Sequence, residues 1–168
     1  MSPMTLRKNA KKLLHTGISF ITIYILFHVI LGVAIVNGNS MVPTFHNGDI
    51  LIIRKVLIEP NVQDIIIALP TTYSDNVIKR VIAIPGDTID INEETNTVIV
   101  NGNPIDEPYL SETQTKQGDI QLPLTVPDGY VFVMGDNRME SLDSRYNTIG
   151  LIPIKNIIGI YLFPIKST

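Results

Sequence analysis

The hydrophobic and polar positions of this chain follow two different patterns, one before and one after residue 36. From Leu13 to Gly48 there is no aspartate, glutamate, lysine or arginine, and residues 17–36 are apolar almost throughout. A helix of that length spans about 30 Å, the thickness of a bilayer's hydrocarbon core. A surface helix of a soluble protein would carry a polar face, which this stretch lacks. The pattern therefore predicts a transmembrane anchor over residues 13–36.

Beyond the anchor, hydrophobic positions occur in short runs rich in β-branched residues, separated by Gly, Pro, Asn and Asp. The pair Asn101-Gly102, directly after one such run, predicts a β-hairpin turn. No stretch beyond residue 36 shows helical periodicity. We therefore expect a mostly β fold, an antiparallel β-sheet domain preceded by one transmembrane helix. The predicted strands are residues 50–53, 65–67, 77–84, 97–100, 130–134 and 157–163.

Charge is distributed unevenly along the chain. The 13 basic residues include four that precede the apolar stretch, whereas all 16 acidic residues follow it. These four are Arg7, Lys8, Lys11 and Lys12. Basic residues stay on the cytoplasmic side of a membrane, which predicts a cytoplasmic tail at 1–12 and an extracytoplasmic domain at 37–168. So acidic a domain is a poor candidate for binding nucleic acid. A cleaved signal peptide is the competing interpretation, although the apolar run is long for one.

Ser40 lies four residues beyond the apolar stretch, in the segment SMVPT at 40–44. A serine needs a base to act as a nucleophile. His46 is the single histidine beyond the anchor and cannot be dismissed on spacing, because such pairs are defined by geometry. Lys79 is the other candidate, since in a strand it would share an apolar face with Val77 and Val81, opposite Arg80. Burial there would lower the pKa of the lysine, whereas on a solvated edge strand both residues would stay charged.

Three segments in a fixed order carry a family resemblance: SMVPT at 40–44, KRVIAIPGD at 79–87 and GDNRMESLDSR at 135–145. Behind an N-terminal anchor, they resemble the signature boxes of type I signal peptidase, the bacterial leader peptidase with a Ser/Lys dyad, in its short Gram-positive-like form. The resemblance implies that Ser40 is the nucleophile and Lys79 the general base. It also implies a membrane-bound serine endopeptidase that cleaves signal peptides from exported preproteins after small-x-small sequences.

The resemblance extends to the surroundings of the dyad. Ser141 would orient the lysine, and ion pairs and hydrogen bonds around the site would come from Arg80, Asp136, Asp143 and Arg145. The oxyanion site and substrate cleft would be formed by Asn37, Gly38, Asn39, Met41, Asn76, Val77 and Ile78. No metal or other cofactor is expected, because no Cys, His or carboxylate cluster has ligand spacing. The expected partners are signal peptides and the lipid bilayer, at the plasma membrane, with one pass and a cytoplasmic N-terminus.

The chain departs from the family pattern at three positions. Gly38 stands where some members have a serine that helps to form the oxyanion hole, and Gln63 and Ala83 replace glycines. A catalytically silent, membrane-tethered peptide-binding relative of the same fold is one alternative, and preprotein cleavage would separate it from an enzyme. A self-cleaving repressor-type Ser/Lys protease is another, although such a protein would carry a DNA-binding domain or a soluble arm in place of the anchor.

Overall fold

The computed structural model of the protein describes residues 3–111 and 114–166. The chain begins with α1, Pro3–Ile30, whose segment Lys11–Ile30 is long and apolar enough to cross a membrane. The prediction that this helix continues to Val36 is wrong, because Leu31–Ile35 forms strand β1. Pairing with the next strand supplies the backbone hydrogen bonds of β1, so the last residues of the apolar stretch belong to a sheet.

Eleven strands and one short 3-10 helix, Ile154–Asn156, follow α1 in the described part of the chain. The strands are β1 Leu31–Ile35, β2 Ile50–Arg54, β3 Ile65–Ala68, β4 Val77–Ala83, β5 Thr88–Asn92, β6 Thr97–Val100, β7 Asn103–Pro104, β8 Leu124–Thr125, β9 Tyr130–Met134, β10 Ile152–Pro153 and β11 Ile157–Lys166. All six predicted strands are present, and neighbouring strands pair antiparallel. The expected fold class is therefore confirmed.

The strands form two sheets. The larger has the order β1-β2-β11-β3-β4-β9-β10, with β1 at one edge, and the smaller has the order β7-β6-β5-β8. The predicted hairpin joins β6 to β7, with Asn101 and Gly102 at φ values of 52° and 77°. These left-handed conformations are the reason for the Asn-Gly pair.

Two strands, β4 and β9, contribute to two hydrophobic cores at once. Val81 and Val133 pack in one core, whereas their neighbours Ile82 and Phe132 pack in the other. Successive side chains of a strand point to opposite faces, so both faces of β4 are covered. This arrangement gives consecutive residues of β4 different surroundings, and it positions the candidate site described next.

Candidate active site

Lys79 lies beside Ser40 although the two are 39 positions apart in the chain. Ser40 is half-buried in the turn between β1 and β2, and Lys79 is the third residue of β4. Lys79 Nζ is 2.7 Å from Ser40 Oγ, which is hydrogen-bonding distance. The structure therefore brings together the two residues expected to form the dyad.

Lys79 is buried, with 4% of its surface exposed. Burial lowers the pKa of Lys79 from 10.5 to about 8, because an ammonium loses its hydration there. Among nearby charges, Asp143 and Asp136 raise this pKa and Arg145 lowers it, without reversing the effect of burial. The group next to Ser40 is thus a lysine that can be neutral at mildly alkaline pH.

His46, the other candidate base, lies on an exposed turn. Its backbone N–H donates a 2.8 Å hydrogen bond to the carboxylate of Asp49, and within the described residues no bond joins its ring to Ser40. The geometry favours Lys79 over His46 as the base.

The turn after β9 holds the backbone of Ser40 in place. Asn137 donates from its backbone N–H to Ser40 O at 3.0 Å and from its side chain to Asn39 O at 3.2 Å. Gly135 allows this approach, because a Cβ added to it would lie 2.2 Å from Ser141 Oγ and 2.4 Å from Ser40 O. A side chain at residue 135 would therefore displace Ser40.

Ser141 is placed against this turn but not bonded to the lysine. Its Oγ is buried and has no hydrogen-bond partner in the described part of the protein. It lies close to Gly135 and the backbone oxygen of Ser40, as the position of an added Cβ shows. The expected role of Ser141 in orienting Lys79 stays a prediction.

Asp143 and Arg145 form an ion pair in which both side chains are 0% exposed. Arg145 Nε donates to Asp143 Oδ1 at 2.8 Å, and Asp143 Oδ2 accepts from Gly135 N–H at 3.0 Å. Arg145 Nη2 also donates to Ser141 O at 3.3 Å. The pair therefore ties both ends of the turn that supports Ser40.

Arg80 and Asp136 form a second buried pair. Arg80 donates to Asp136 through Nε at 2.8 Å and through Nη2 at 2.6 Å. The hydroxyl of Thr44 also donates to this carboxylate. The guanidinium carbon lies 3.9 Å from the centre of the Tyr109 ring, a cation–π contact. Consecutive residues of β4 thus have the different surroundings that strand alternation predicts, since Lys79 meets Ser40 and Arg80 meets an acid.

Four residues that the sequence analysis did not assign to the site extend this network: Glu107, Tyr109, Thr115 and Arg138. Arg138 pairs with Glu107 and donates to Thr115 Oγ1 and to the Gly135 carbonyl, both at 3.1 Å. Tyr109 Oη donates to Glu107 at 2.8 Å. Burial raises the pKa of Tyr109 well above its usual range, and the Glu107 carboxylate is the second contribution. The sequence held one clue to these residues. The segment EPYL at 107–110 contains an acid and a tyrosine, which are suitable partners for a buried arginine.

Ser40 and Lys79 face a cleft of about 820 Å³, which all seven predicted cleft residues line. Met41 is 1% exposed and packs in the core with Phe45 and Leu51, so it forms part of the cleft floor. Gly38 has a φ of +94°, and a Cβ added there would meet nothing within 4 Å. A serine at residue 38 would have room, but its backbone would be strained.

Comparisons with known proteins agree on one family. The family described as signal peptidase, peptidase S26, matches residues 10–166. The chain is 38% identical over 139 residues to signal peptidase I of Bacillus licheniformis, covering 77% of this chain and 73% of that protein. It is 41% identical over 138 residues to a probable signal peptidase I-1 of Synechocystis, covering 75% and 66%. A crystal structure of a signal peptidase I from Enterococcus faecalis matches with a TM-score of 0.54 at 32% identity, covering 62% of this chain and 97% of that one.

Proposed function

The chain belongs to the signal peptidase family, peptidase S26, and we propose that it removes signal peptides from exported preproteins with Ser40 as nucleophile and Lys79 as general base. As a member of that family it is a signal peptidase, a hydrolase. One observation carries the assignment of the dyad. A buried lysine whose pKa is lowered to about 8 lies 2.7 Å from a serine hydroxyl at the side of a large cleft.

The proposed reaction is peptide hydrolysis through an acyl-enzyme. Neutral Lys79 takes the proton of Ser40 Oγ as this oxygen attacks the scissile carbonyl. The resulting ammonium returns the proton to the leaving amine as the peptide bond breaks, which leaves an ester on Ser40. Water then hydrolyses that ester, again with Lys79 accepting a proton. The ammonium gives this second proton to Ser40 Oγ as the ester bond breaks, which restores the serine hydroxyl and the neutral lysine.

The backbone N–H of Ser40 is the proposed donor to the oxyanion. Asn137 holds the backbone on both sides of this N–H, through Asn39 O and Ser40 O, and so keeps the donor in position. Because Gly38 has no side chain, it can supply no hydroxyl to the oxyanion. A single oxyanion donor typically contributes about 2.7–4 kcal/mol to transition-state stabilisation, so a fixed Ser40 N–H is a substantial contribution.

The substrate is proposed to lie extended in the cleft, with small residues at the first and third positions before the cut. Residues 37–39 and 76–78 line the cleft, and we propose that they form its two walls. β1, which leads into the first wall, is the edge strand of the larger sheet. An edge can accept an added strand through main-chain hydrogen bonds, while shallow pockets select side chains.

We further propose that α1 anchors the enzyme in the plasma membrane, with the basic N-terminus cytoplasmic and the β domain extracytoplasmic. The helix passes into β1 without a linker. Lys55, the residue after β2, ties the end of the helix to the sheet, since its backbone N–H donates to Ile30 O and its Nζ to His28 O, both at 2.8 Å. Such a connection would hold the cleft at a fixed height above the bilayer.

Preprotein processing tests this proposal. Full-length protein in detergent is mixed with a preprotein carrying a small-x-small site, and wild type is compared with Ser40→Ala and Lys79→Ala. Lys155→Ala, which removes an exposed lysine far from Ser40 in sequence, is the matched control. Cleavage by wild type and control, lost in both dyad variants that still fold, is the expected result. Cleavage that survives Lys79→Ala would overturn the lysine assignment, and none by folded wild type across several preproteins would favour a silent binding relative.

A further inference from the structure

A second, smaller cavity adjoins the catalytic cleft. Its volume is about 200 Å³, and Val42, Asn137, Met139 and Glu140 are among its lining residues. Glu140 is the residue that lines both cavities. The side chain of Glu140 therefore stands at the junction between the space next to Ser40 and the smaller cavity.

The smaller cavity shares none of the residues of the proposed substrate walls. Residues 37–39 precede Ser40 and line the cleft, whereas Val42, two residues after Ser40, lines the smaller cavity. With the part of the substrate before the cut along residues 37–39 and 76–78, the smaller cavity is the neighbouring space open to the residues after the cut. This step rests on the proposed function.

Of the three charged side chains among the described residues that line the smaller cavity, two are neutralised by an ion pair. The carboxylate of Asp136 is paired with Arg80, and the guanidinium of Arg138 is paired with Glu107. Glu140 is exposed and forms no ion pair within the described ranges. One hydrogen bond holds its side chain to the turn, because Asn137 Nδ2 donates to Glu140 Oε2 at 3.2 Å and the same nitrogen donates to Asn39 O.

We infer that the smaller cavity receives the first two residues after the scissile bond and that Glu140 determines specificity there. A lysine or arginine at these positions meets an unpaired carboxylate and is favoured. An aspartate or glutamate meets the same carboxylate and is disfavoured. Met139, 40% exposed, offers the stem of a long basic side chain an apolar surface.

Three peptides test this inference. They share one small-x-small site and differ in carrying Lys, Gln or Glu at the second position after the cut. The measured quantity is kcat/KM of the full-length enzyme in detergent at low salt. For an exposed ion pair we expect a preference of about twofold to fivefold for Lys over Gln, and of Gln over Glu. Both preferences should shrink in about 1 M salt, where charges are screened within about 3 Å.

Two variants and one control assign these preferences to Glu140. Glu140→Gln keeps an oxygen that can accept from Asn137 and removes the charge, so it should remove both preferences. Glu140→Lys should reverse their order. Glu94→Gln removes an equal charge on the exposed turn between β5 and β6 and should keep the wild-type order.

Equal cleavage of the three peptides by wild type, or an unchanged order in Glu140→Gln, would overturn the inference. Failure of wild type to cleave the Gln peptide at all would instead contradict the proposed function on which the inference rests.

Discussion

Replacing Lys79 with methionine should make the protein more stable while abolishing its activity. The folded protein holds Lys79 at a pKa of about 8, against 10.5 for an ordinary lysine. Between these pH values the unfolded chain binds one more proton than the folded chain, so the free energy of unfolding rises with pH in this window. Below pH 8 both states are protonated, and the folded state bears the full unfavourable free energy of a buried ammonium.

The magnitude follows from the two pKa values. At about 1.36 kcal/mol per pKa unit, the difference between them corresponds to about 3 kcal/mol. Methionine is similar in length and apolar, so it removes this contribution without leaving a large cavity. The lost hydrogen bond to Ser40 offsets about 1 kcal/mol. At pH 7 we therefore expect Lys79→Met to raise the free energy of unfolding by about 2 kcal/mol.

Urea unfolding of the full-length protein in nonionic detergent measures this difference at pH 7 and at pH 10. The gain should be largest at pH 7 and nearly gone at pH 10, where Lys79 is neutral in the folded state of the wild type. Lys155→Met, a change at an exposed lysine, controls for a general effect of methionine. A gain that is equal at both pH values, or a variant less stable than wild type at pH 7, would refute the reasoning.

Three further predictions concern the support of the site. Asp143→Asn leaves the buried charge of Arg145 without its partner and should lower the free energy of unfolding by roughly 3–5 kcal/mol, measured by urea unfolding against Asp90→Asn on β5. Gly135→Ala places a Cβ 2.4 Å from Ser40 O and should lower kcat of preprotein cleavage by about a hundredfold, whereas Gly17→Ala, with open space around it, should not. Tyr109→Phe keeps the ring over the neighbouring guanidinium, so it should stay more stable than Tyr109→Leu by about 1 kcal/mol; equal stability would contradict this contact.

The strands with the strongest β-branched runs could be predicted from the sequence, and those defined by distant partners could not. β1 has the composition of the helix before it, and its pairing with β2 across a long turn leaves no local signal. β7, β8 and β10 are two residues long, too short for any periodicity. β5 was missed although Ile89 and Ile91 alternate with polar residues, because the run is bounded by further polar residues.

The site residues also divide into those with a local sequence signal and those defined by distant partners. Alternation along β4 predicted that Lys79 and Arg80 would have different surroundings, and they do. The motifs selected Ser40 and Lys79, but motif spacing holds no information on the 2.7 Å distance between their side chains. The partners Glu107 and Arg138 are 31 residues apart in the sequence. Their pairing requires contact between the loop after β7 and the turn after β9. The local sequence pattern holds no information on that contact.

The pH dependence of preprotein cleavage tests the central claim, that neutral Lys79 is the base for Ser40, most directly. kcat/KM reports the ionisation of the free enzyme, and a pKa of about 8 leaves about a tenth of Lys79 neutral at pH 7. We predict that kcat/KM rises about tenfold per pH unit below pH 7 and levels off above a midpoint near pH 8. A midpoint near 6.5, the ordinary pKa of histidine, that disappears in His46→Ala would contradict the account.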